Sequence, residues 1–245
     1  MSTGRAESLN VANSRDWRRL GDIGLCFLLT LFAMFRGLAA IEASREGAWL
    51  EAANHAITFV AMAIMSVLPI IRGRAIARDA GLAPKVVATI GGYAIIPLAM
   101  LPLTWRADWL LTVSSVGLVA GTAWEIWALL TLRQSFSVFP EARKLVTRGP
   151  YGIVRHPLYA SYLVGYVLVA LPRLSVLAVL IAGAGMVAQV IRAHREEAVL
   201  RSTFPDYAEY AALVPAFLPR PWRRHATPPT GNTTSELETP ERIAA

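Results

Sequence analysis

The chain has 245 residues, of which 55% are hydrophobic and 17% are charged, and its mean hydropathy is +0.44. This composition is too apolar and too sparsely charged for an ordinary soluble domain, and it indicates a protein whose solvent is the lipid bilayer. The net charge of +7 is spread over short segments between apolar runs, which argues against a nucleic-acid interface. A single cysteine, Cys26, excludes a disulfide framework and a thiolate cluster for zinc.

Six apolar segments follow one another along the chain. They cover residues 20–41, 53–71, 86–104, 109–132, 158–171 and 174–191. The first four are long enough to cross about 30 Å of hydrocarbon as helices, whereas the fifth reaches only about 21 Å at about 1.5 Å per residue. A Pro172-Arg173 turn joins the fifth closely to the sixth, and the sequence leaves open whether this hairpin crosses fully. We therefore predict an all-α integral membrane protein with about six transmembrane helices and a C-terminal helical hairpin.

The distribution of positive charge predicts the orientation, because Lys and Arg accumulate in cytoplasmic loops. With the N-terminus inside, most of the 24 basic residues face the cytoplasm. Both termini are therefore expected to be cytoplasmic, and the bacterial inner membrane is the expected location. Residues 1–19 form a predicted cytoplasmic arm, and the Pro-, Thr-, Ser- and Glu-rich tail, 226–245, is expected to be disordered. The first segment is longer than the apolar core of a secretory signal and is expected to remain as a helix.

Two charged residues fall inside predicted transmembrane segments, Arg36 in the first and Glu125 in the fourth. Each is costly in hydrocarbon without a partner. One hypothesis pairs the two with each other. The other hypothesis turns Glu125 toward a ligand pocket.

Titratable side chains gather where the fifth segment meets the cytoplasm. Pro157 fits the first turn of a helix, where its missing N–H costs nothing. We therefore expect Arg155 and His156 just before that helix and Tyr159 just inside it, around a ligand. The alternative is that Arg155 reaches lipid phosphates and that Tyr159 belongs to an interfacial aromatic belt.

The sixth segment ends in a polar stripe. Gln189, Arg192 and Glu196 share one helical face at spacings of i, i+3 and i+7, while the adjacent Glu197 points elsewhere. One carboxylate is expected to pair with a base such as Arg155, and the other to meet a ligand cation, hydroxyl or amine.

Aromatic residues follow this stripe at Phe204, Tyr207 and Tyr210. Their rings and hydroxyl tips suit a cover over an aromatic or cationic ligand. This continuation favours a ligand site over the alternative, a solvated helix end held by pairing between Arg192 and Glu196.

Several motifs in this region occur in a fixed order. They are Arg133-x-Ser135-Phe136-Ser137, Leu145-Val146-Thr147-x-Gly149-Pro150-Tyr151, Arg155-His156-Pro157-x-Tyr159, Glu196-Glu197-x-x-Leu200, Phe204 and Tyr207-x-x-Tyr210. On these residues the chain resembles the isoprenylcysteine carboxyl methyltransferase family and its bacterial relatives, which are also similar to phospholipid N-methyltransferases. The resemblance covers about residues 133–219. It departs from the family pattern at Phe204-Pro205-Asp206-Tyr207, where a glycine and one more residue usually stand.

The resemblance implies a membrane methyltransferase that binds S-adenosylmethionine in a cytoplasmic pocket and receives a lipophilic acceptor sideways from the membrane. It implies a methyltransferase core over residues 133–225, after four transmembrane helices within residues 20–132. It also implies nine cofactor-binding residues, which are Leu145, Val146, Gly149, Tyr151, His156, Tyr159, Glu197, Tyr207 and Tyr210.

Arg155 and Glu196 are the predicted catalytic residues. For a carboxylate acceptor, Arg155 could hold the substrate bidentately, so that positioning would supply most of the rate gain. For an amine acceptor a proton must leave, and Glu196 is the nearest candidate base. Carboxylate O-methylation of an isoprenylcysteine-like substrate is the predicted function, with phospholipid or small-amine N-methylation as its first alternative.

Two other classes of function stay open. An NADPH-dependent membrane sterol or enone reductase has a related hairpin and a similar His-Pro-x-Tyr stretch, but the Glu196-Glu197 pair and the Tyr207-x-x-Tyr210 ending favour the methyltransferase. A non-catalytic transporter or assembly factor would use the charged cluster as an ion or lipid path. The expected partners are a lipophilic or lipid-linked substrate and membrane lipids, with no nucleic acid and no metal. The sequence determines neither the acceptor nor the oligomeric state.

Overall fold

The computed structural model describes residues 24, 26–71, 77–78, 82–132, 141–142 and 145–219. The predicted N-terminal arm, the Arg133-x-Ser135-Phe136-Ser137 motif and the predicted tail lie outside the described residues. Within the described part, four helices are long and apolar enough to cross a membrane. They are α1 Cys26–Arg45, α2 Trp49–Ile71, α5 Asp108–Leu132 and α7 Val176–Thr203.

Shorter elements lie between and after these four helices. They are α3 Leu82–Tyr93, α4 Ile95–Met100, α6 Pro157–Ala170, α8 Tyr207–Leu213, and the 3-10 turns Gly149–Gly152 and Leu171–Arg173. A two-residue strand β1, Ala77–Arg78, pairs antiparallel with β2, Glu141–Ala142. α5 packs against α2 and α6, and α7 packs against α3 and α6.

Large apolar side chains are exposed along the long helices, among them Phe35 on α1, Trp109 on α5 and Leu180 on α7. A soluble domain would bury such a surface, whereas lipid covers it at no cost. The prediction of a helical integral membrane protein is supported in this form. The sequence predicted about six spans, and the described part of the chain contains four helices that are long enough to span a membrane.

The third predicted span is broken and shorter than expected, because it is interrupted at Ala94. The Tyr166 hydroxyl of α6 donates to the Gly91 carbonyl at 3.0 Å and also bonds to the backbone of Ile95. It therefore occupies the place of a hydrogen bond between successive helical turns, which is an established cause of a helix kink. Pro97 removes a further backbone donor just beyond the break.

The C-terminal hairpin is asymmetric. α6 has 14 residues and is about 21 Å long, whereas α7 has 28 residues and is about 42 Å long. The turn between them is fixed to an earlier loop, because Thr104 and Trp105 donate backbone hydrogen bonds to the Pro172 carbonyl at 2.9 and 3.0 Å. Arg173 Nε donates to the Leu101 carbonyl at 3.1 Å.

The first residue of α6 lies beside a part of α5 that comes before the end of α5. The indole Nε1 of Trp124 donates to the Pro157 carbonyl at 3.1 Å. α5 continues from this contact to Leu132, which is about 12 Å farther at about 1.5 Å per residue. The first turn of α6 therefore lies below the end of its neighbouring helix, in a recess.

A glycine on α7 makes room for the inserted tyrosine. A Cβ atom at Gly185 would lie 2.3 Å from Cζ of Tyr166, a distance that no side chain tolerates. One turn farther along α7, Gln189 Nε2 donates to the Gly91 carbonyl at 2.6 Å. The same carbonyl therefore receives side chains from α6 and α7, which fixes both helices against α3.

We predict that Gly185→Ala lowers the free energy of unfolding by about 1–3 kcal/mol, because the new methyl group overpacks the buried Tyr166 ring. The measurement is the thermal unfolding midpoint in detergent. Gly183→Ala is the matched control, since a Cβ at Gly183 meets nothing within 4 Å. The control should keep or raise the midpoint, because alanine favours a helix over glycine by about 1 kcal/mol. Equal midpoints for both variants would contradict the packing described here.

Candidate functional site

The candidate site forms where the start of α6 meets the end of α7. His156 precedes α6 and Pro157 is its first residue, as the sequence predicts. α7 continues to Thr203, beyond the apolar segment that ends at residue 191. Glu196 and Glu197 therefore lie within a helix rather than at its end, which fixes the direction of each carboxylate.

Arg155 is bound on all sides by protein groups. Its Nε and Nη2 donate to Glu197 Oε1 at 2.9 and 2.7 Å, and its Nη1 donates to the carbonyls of Ala211 and Val214 at 2.7 Å each. The two charged side chains are 13% and 15% exposed. These four hydrogen bonds use nearly all the donors of a guanidinium. Arg155 thus joins α6, α7 and the end of α8.

His156 is part of the same junction. Its Nε2 lies 2.9 Å from Glu197 Oε1. The backbone N–H groups of Arg155 and His156 donate to the carbonyls of Pro215 and Ala216 at 2.8 and 2.9 Å. The chain that follows α8 therefore runs beside the residues that precede α6 and closes the site from outside.

The polar stripe of α7 faces the first turn of α6. The Tyr159 hydroxyl donates to Glu196 Oε2 at 2.8 Å. The Arg192 guanidinium lies 5.2 Å from the centre of the Tyr159 ring, and its Nη1 donates to Gln189 Oε1 at 2.9 Å. The two adjacent carboxylates thus have different partners, since Glu197 pairs with Arg155 and Glu196 meets a hydroxyl, which here belongs to the protein.

Two tyrosines of α8 cover this cluster. The rings of Tyr207 and Tyr210 are 5.8 Å apart in an edge-on arrangement, and the Tyr210 hydroxyl donates to the Tyr151 carbonyl at 2.7 Å. The Tyr207 hydroxyl is buried and has no hydrogen-bond partner among the described residues. Burial raises the pKa of both hydroxyls, so each keeps its proton at neutral pH. Tyr207 therefore has a donor to offer to a ligand.

One cavity of about 1410 Å³ connects this cluster with the apolar helices. Phe32 of α1, Met100 of α4 and Leu168 of α6 line its apolar part, while Glu196 and Tyr207 line its polar part. The volume exceeds the roughly 300–1,000 Å³ of an ordinary small-molecule site. The cavity has room for a polar molecule and a long apolar one together.

Both predicted catalytic residues and seven of the nine predicted cofactor-binding residues line this cavity. The seven are Leu145, Val146, Tyr151, His156, Tyr159, Tyr207 and Tyr210. Glu197 and Gly149 are not among the lining residues. Glu197 instead holds Arg155 and His156. Gly149 has a φ of 61°, and a Cβ there would lie 3.1 Å from Thr131 Oγ1. The backbone conformation of the turn therefore explains why a glycine stands at this position.

The two intramembrane charges do not pair with each other. Arg36 lies in the electrostatic neighbourhood of Glu51 and His55. Glu125 interacts electrostatically with Tyr162 and lines the cavity. The hypothesis of a mutual ion pair is therefore wrong. Glu125 faces a cavity, as the alternative hypothesis predicts.

The sequence did not single out Tyr162 as a site residue. It lies one turn after Tyr159 on α6, lines the cavity and contacts Glu125. The available signal was the i, i+3 spacing of two tyrosines in an apolar helix. That spacing is equally typical of core packing, so it carried no prediction.

Comparison with known proteins agrees with the location of this site. A family profile described as "Phospholipid methyltransferase" matches residues 109–207. The chain is 41% identical over 120 residues to the "Cobalt-zinc-cadmium resistance protein CzcN" of Cupriavidus metallidurans, covering 48% of this chain and 52% of the relative. It is 38% identical over 120 residues to the "Nickel-cobalt-cadmium resistance protein NccN" of Alcaligenes xylosoxydans xylosoxydans, covering 48% and 53%. The chain spans about half the length of the curated relatives it matches.

The matched profile region begins in α5, contains α6 and α7, and ends at the first residue of α8. Together with the apolar helices, the match supports a membrane methyltransferase. It does not separate the isoprenylcysteine carboxyl methyltransferases from the phospholipid methyltransferases. The names of the two relatives state metal resistance, and no group of three or more His, Cys, Asp or Glu side chains among the described residues could hold a metal ion.

We predict that Glu197→Gln lowers the free energy of unfolding by about 3–5 kcal/mol, because it leaves the buried Arg155 guanidinium without its counter-charge. The checks are the unfolding midpoint in detergent and amide hydrogen exchange of residues 207–214, which should become faster. The matched control is Glu209→Gln, which removes an exposed carboxylate from α8 and should change stability by no more than about 0.5 kcal/mol. Unchanged exchange in the first variant would contradict the role given to the pair.

Proposed function

We propose that this protein is an S-adenosylmethionine-dependent methyltransferase that methylates a lipophilic acceptor within the membrane. The observation that carries the proposal is the continuous cavity, which is polar at the α6–α7–α8 cluster and apolar along α1, α4 and α6. A water-soluble methyl donor and a membrane-soluble acceptor need such a cavity in order to meet. The profile match over α5, α6 and α7 supports the same chemistry.

The polar part of the cavity fits the methyl donor. The buried Tyr207 hydroxyl lacks a protein partner, and the Tyr207 and Tyr210 rings can cover an adenine or a sulfonium. Leu145 and Val146 supply an apolar wall, and His156 stands beside it. When bound, S-adenosylmethionine supplies a methyl group made electrophilic by the positive sulfur.

Arg155 and Glu197 are proposed as positioning residues. An acceptor carboxylate would have to displace Glu197 or the carbonyls of Ala211 and Val214 from the guanidinium. Because protein groups already bind the Arg155 guanidinium, an amine acceptor is favoured over the isoprenylcysteine-like carboxylate. The favoured reaction is phospholipid or small-amine N-methylation. The carboxylate acceptor is the alternative within the same chemistry.

Glu196 is proposed as the general base for an amine acceptor. An ammonium nitrogen has no lone pair, so a proton must leave before the nitrogen can bond to carbon. The Glu196 carboxylate lines the cavity, and the Tyr159 hydroxyl at 2.8 Å from Oε2 fixes its direction. A general base of this kind contributes about 10²–10⁴-fold to the rate.

The charge distribution supports a site open to the cytoplasm. With both termini cytoplasmic, the ends of α5 and α7 near the site face the side on which a bacterial cell holds its soluble methyl donor. The acceptor would then be a lipid or lipid-linked molecule of the inner membrane.

The first test is calorimetric titration of the purified protein in detergent with S-adenosylmethionine, S-adenosylhomocysteine and NADPH. We expect micromolar binding of the first two ligands. Binding of NADPH alone would assign the protein to the membrane sterol and enone reductases, and binding of none would favour a transporter or assembly factor.

Two conservative tyrosine variants then separate a ligand contact from a structural one. Tyr207→Phe removes the unpartnered hydroxyl and should weaken S-adenosylhomocysteine binding several-fold with no change in the unfolding midpoint. Tyr210→Phe removes the hydrogen bond to the Tyr151 carbonyl and should lower the midpoint by the equivalent of about 1 kcal/mol. Identical affinities for wild type and Tyr207→Phe would contradict the contact.

We predict that Glu196→Gln lowers the single-turnover rate of amine methylation by about 10²–10⁴-fold, because the amide cannot accept the proton. Binding of S-adenosylhomocysteine should stay within twofold of wild type. The measurement is a single-turnover assay with radiolabelled methyl donor and membrane lipids extracted from bacteria. An equal rate in the variant would show that another group, or water, takes the proton.

A further inference from the structure

Glu125 is a carboxylate that the proposed reaction does not use. It lies on α5 and is 8% exposed, and it lines the cavity. Its Oε1 is buried and has no hydrogen-bond partner among the described residues. Leaving such an oxygen without a partner in apolar surroundings is costly, so this position needs a reason.

Tyr162 of α6 is the neighbour of Glu125 in the cavity. The two side chains interact electrostatically, and Tyr162 lines the same cavity. Tyr162 also interacts electrostatically with Tyr159 and Arg192, which belong to the cluster around Glu196. Glu125 is thus connected to the reacting cluster through one tyrosine, and its Oε1 atom is available for a ligand.

Glu125 lies at the same depth as the reacting cluster. The neighbouring Trp124 donates to the Pro157 carbonyl, so Glu125 is level with the first turn of α6. From there α5 continues for about 10 Å to its end at about 1.5 Å per residue. A head group bound in the cavity at this depth therefore lies where Glu125 and Glu196 both line the wall.

The other charges of the cavity do not neutralise Glu125. Arg155 is paired with Glu197, and Arg36 lies with Glu51 and His55. Arg192 donates to Gln189 and lies over the Tyr159 ring. Among the described residues, Glu125 forms no ion pair. The missing partner is a cation or a hydrogen-bond donor that the described residues do not supply.

We propose that Glu125, beside Tyr162, is the specificity-determining residue that selects a membrane amphiphile with an ammonium head group. The inference rests on the proposed function, since the selected head group is the methyl acceptor. Oε1 accepts an N–H of the ammonium, which is a charge-assisted hydrogen bond in a dry site. Glu125 then binds the head group and Glu196 removes its proton, so the two carboxylates divide recognition from chemistry.

The test uses three twelve-carbon probes that differ only in the head group, namely dodecylamine, dodecanol and dodecanoate. Their binding to the full chain in lipid nanodiscs is measured with S-adenosylhomocysteine present. Wild type should bind dodecylamine at least tenfold more tightly than either other probe. Glu125→Gln should lose at least tenfold in dodecylamine affinity and keep its affinities for dodecanol and S-adenosylhomocysteine.

Three further variants keep the test decisive. Glu51→Gln removes another cavity-lining carboxylate, far along the chain from the cluster, and should leave the amine preference unchanged. Tyr162→Phe keeps the charge without the neighbouring hydroxyl and should reduce the preference partially. Glu125→Asp retains the charge on a shorter side chain. It replaces Glu125→Gln in the probe-binding test if the glutamine variant does not fold.

Two results would overturn the inference. One is equal binding of the three probes by wild type, and the other is an amine preference that survives in Glu125→Gln. Failure of the proposed function has a different signature, because a wild type that does not bind S-adenosylhomocysteine is not a methyltransferase whatever its probe preference. Loss of amine binding in Glu125→Gln would still assign the ammonium site in that case.

Discussion

A buried ion pair between Arg155 and Glu197 is the interaction on which the arrangement of the site depends. The guanidinium binds a carboxylate of α7 and two carbonyls from the end of α8, while its own backbone belongs to the residues just before α6. Removing either charge would leave the other uncompensated in a nearly dry place, so the pair can only be kept or lost as a unit. Because Glu197 serves this purpose, the neighbouring Glu196, turned about 100° around the helix, is left for the ligand.

Helix packing and the candidate site are parts of one hydrogen-bond network. The Gly91 carbonyl at the break between α3 and α4 receives Gln189, whose other amide atom accepts from Arg192. Arg192 lies over the Tyr159 ring, and the Tyr159 hydroxyl binds Glu196. Buried side chains therefore connect the broken helix to the Glu196 carboxylate.

The sequence predicted what depends on local chemistry. The start of α6 at Pro157 and the division between the two adjacent glutamates follow from helix geometry and from the absence of an N–H on proline. Hydropathy placed the end of the sixth segment at residue 191, because it reports where lipid ends rather than where the helix ends. The break at Ala94 could not be predicted, since it is made by Tyr166, a residue distant in sequence that inserts its hydroxyl into the backbone ladder. The four hydrogen bonds of the Arg155 guanidinium could not be predicted either, because they depend on tertiary contacts and not on the spacing of residues in the sequence.

The shortness of α6 has a consequence for the bilayer itself. Its length of about 21 Å is less than the roughly 30 Å of a typical hydrocarbon core, and the turn that follows it is fixed by hydrogen bonds to the Pro172 carbonyl. Trp105 and Trp109 are 57% and 68% exposed at this level, where amphipathic rings favour the lipid–water boundary. Because α6 is only about 21 Å long from this boundary, its first turn and the candidate site lie within the roughly 30 Å depth of a hydrocarbon core. A lipid whose head group reaches the site must therefore sink below the other lipids of its leaflet.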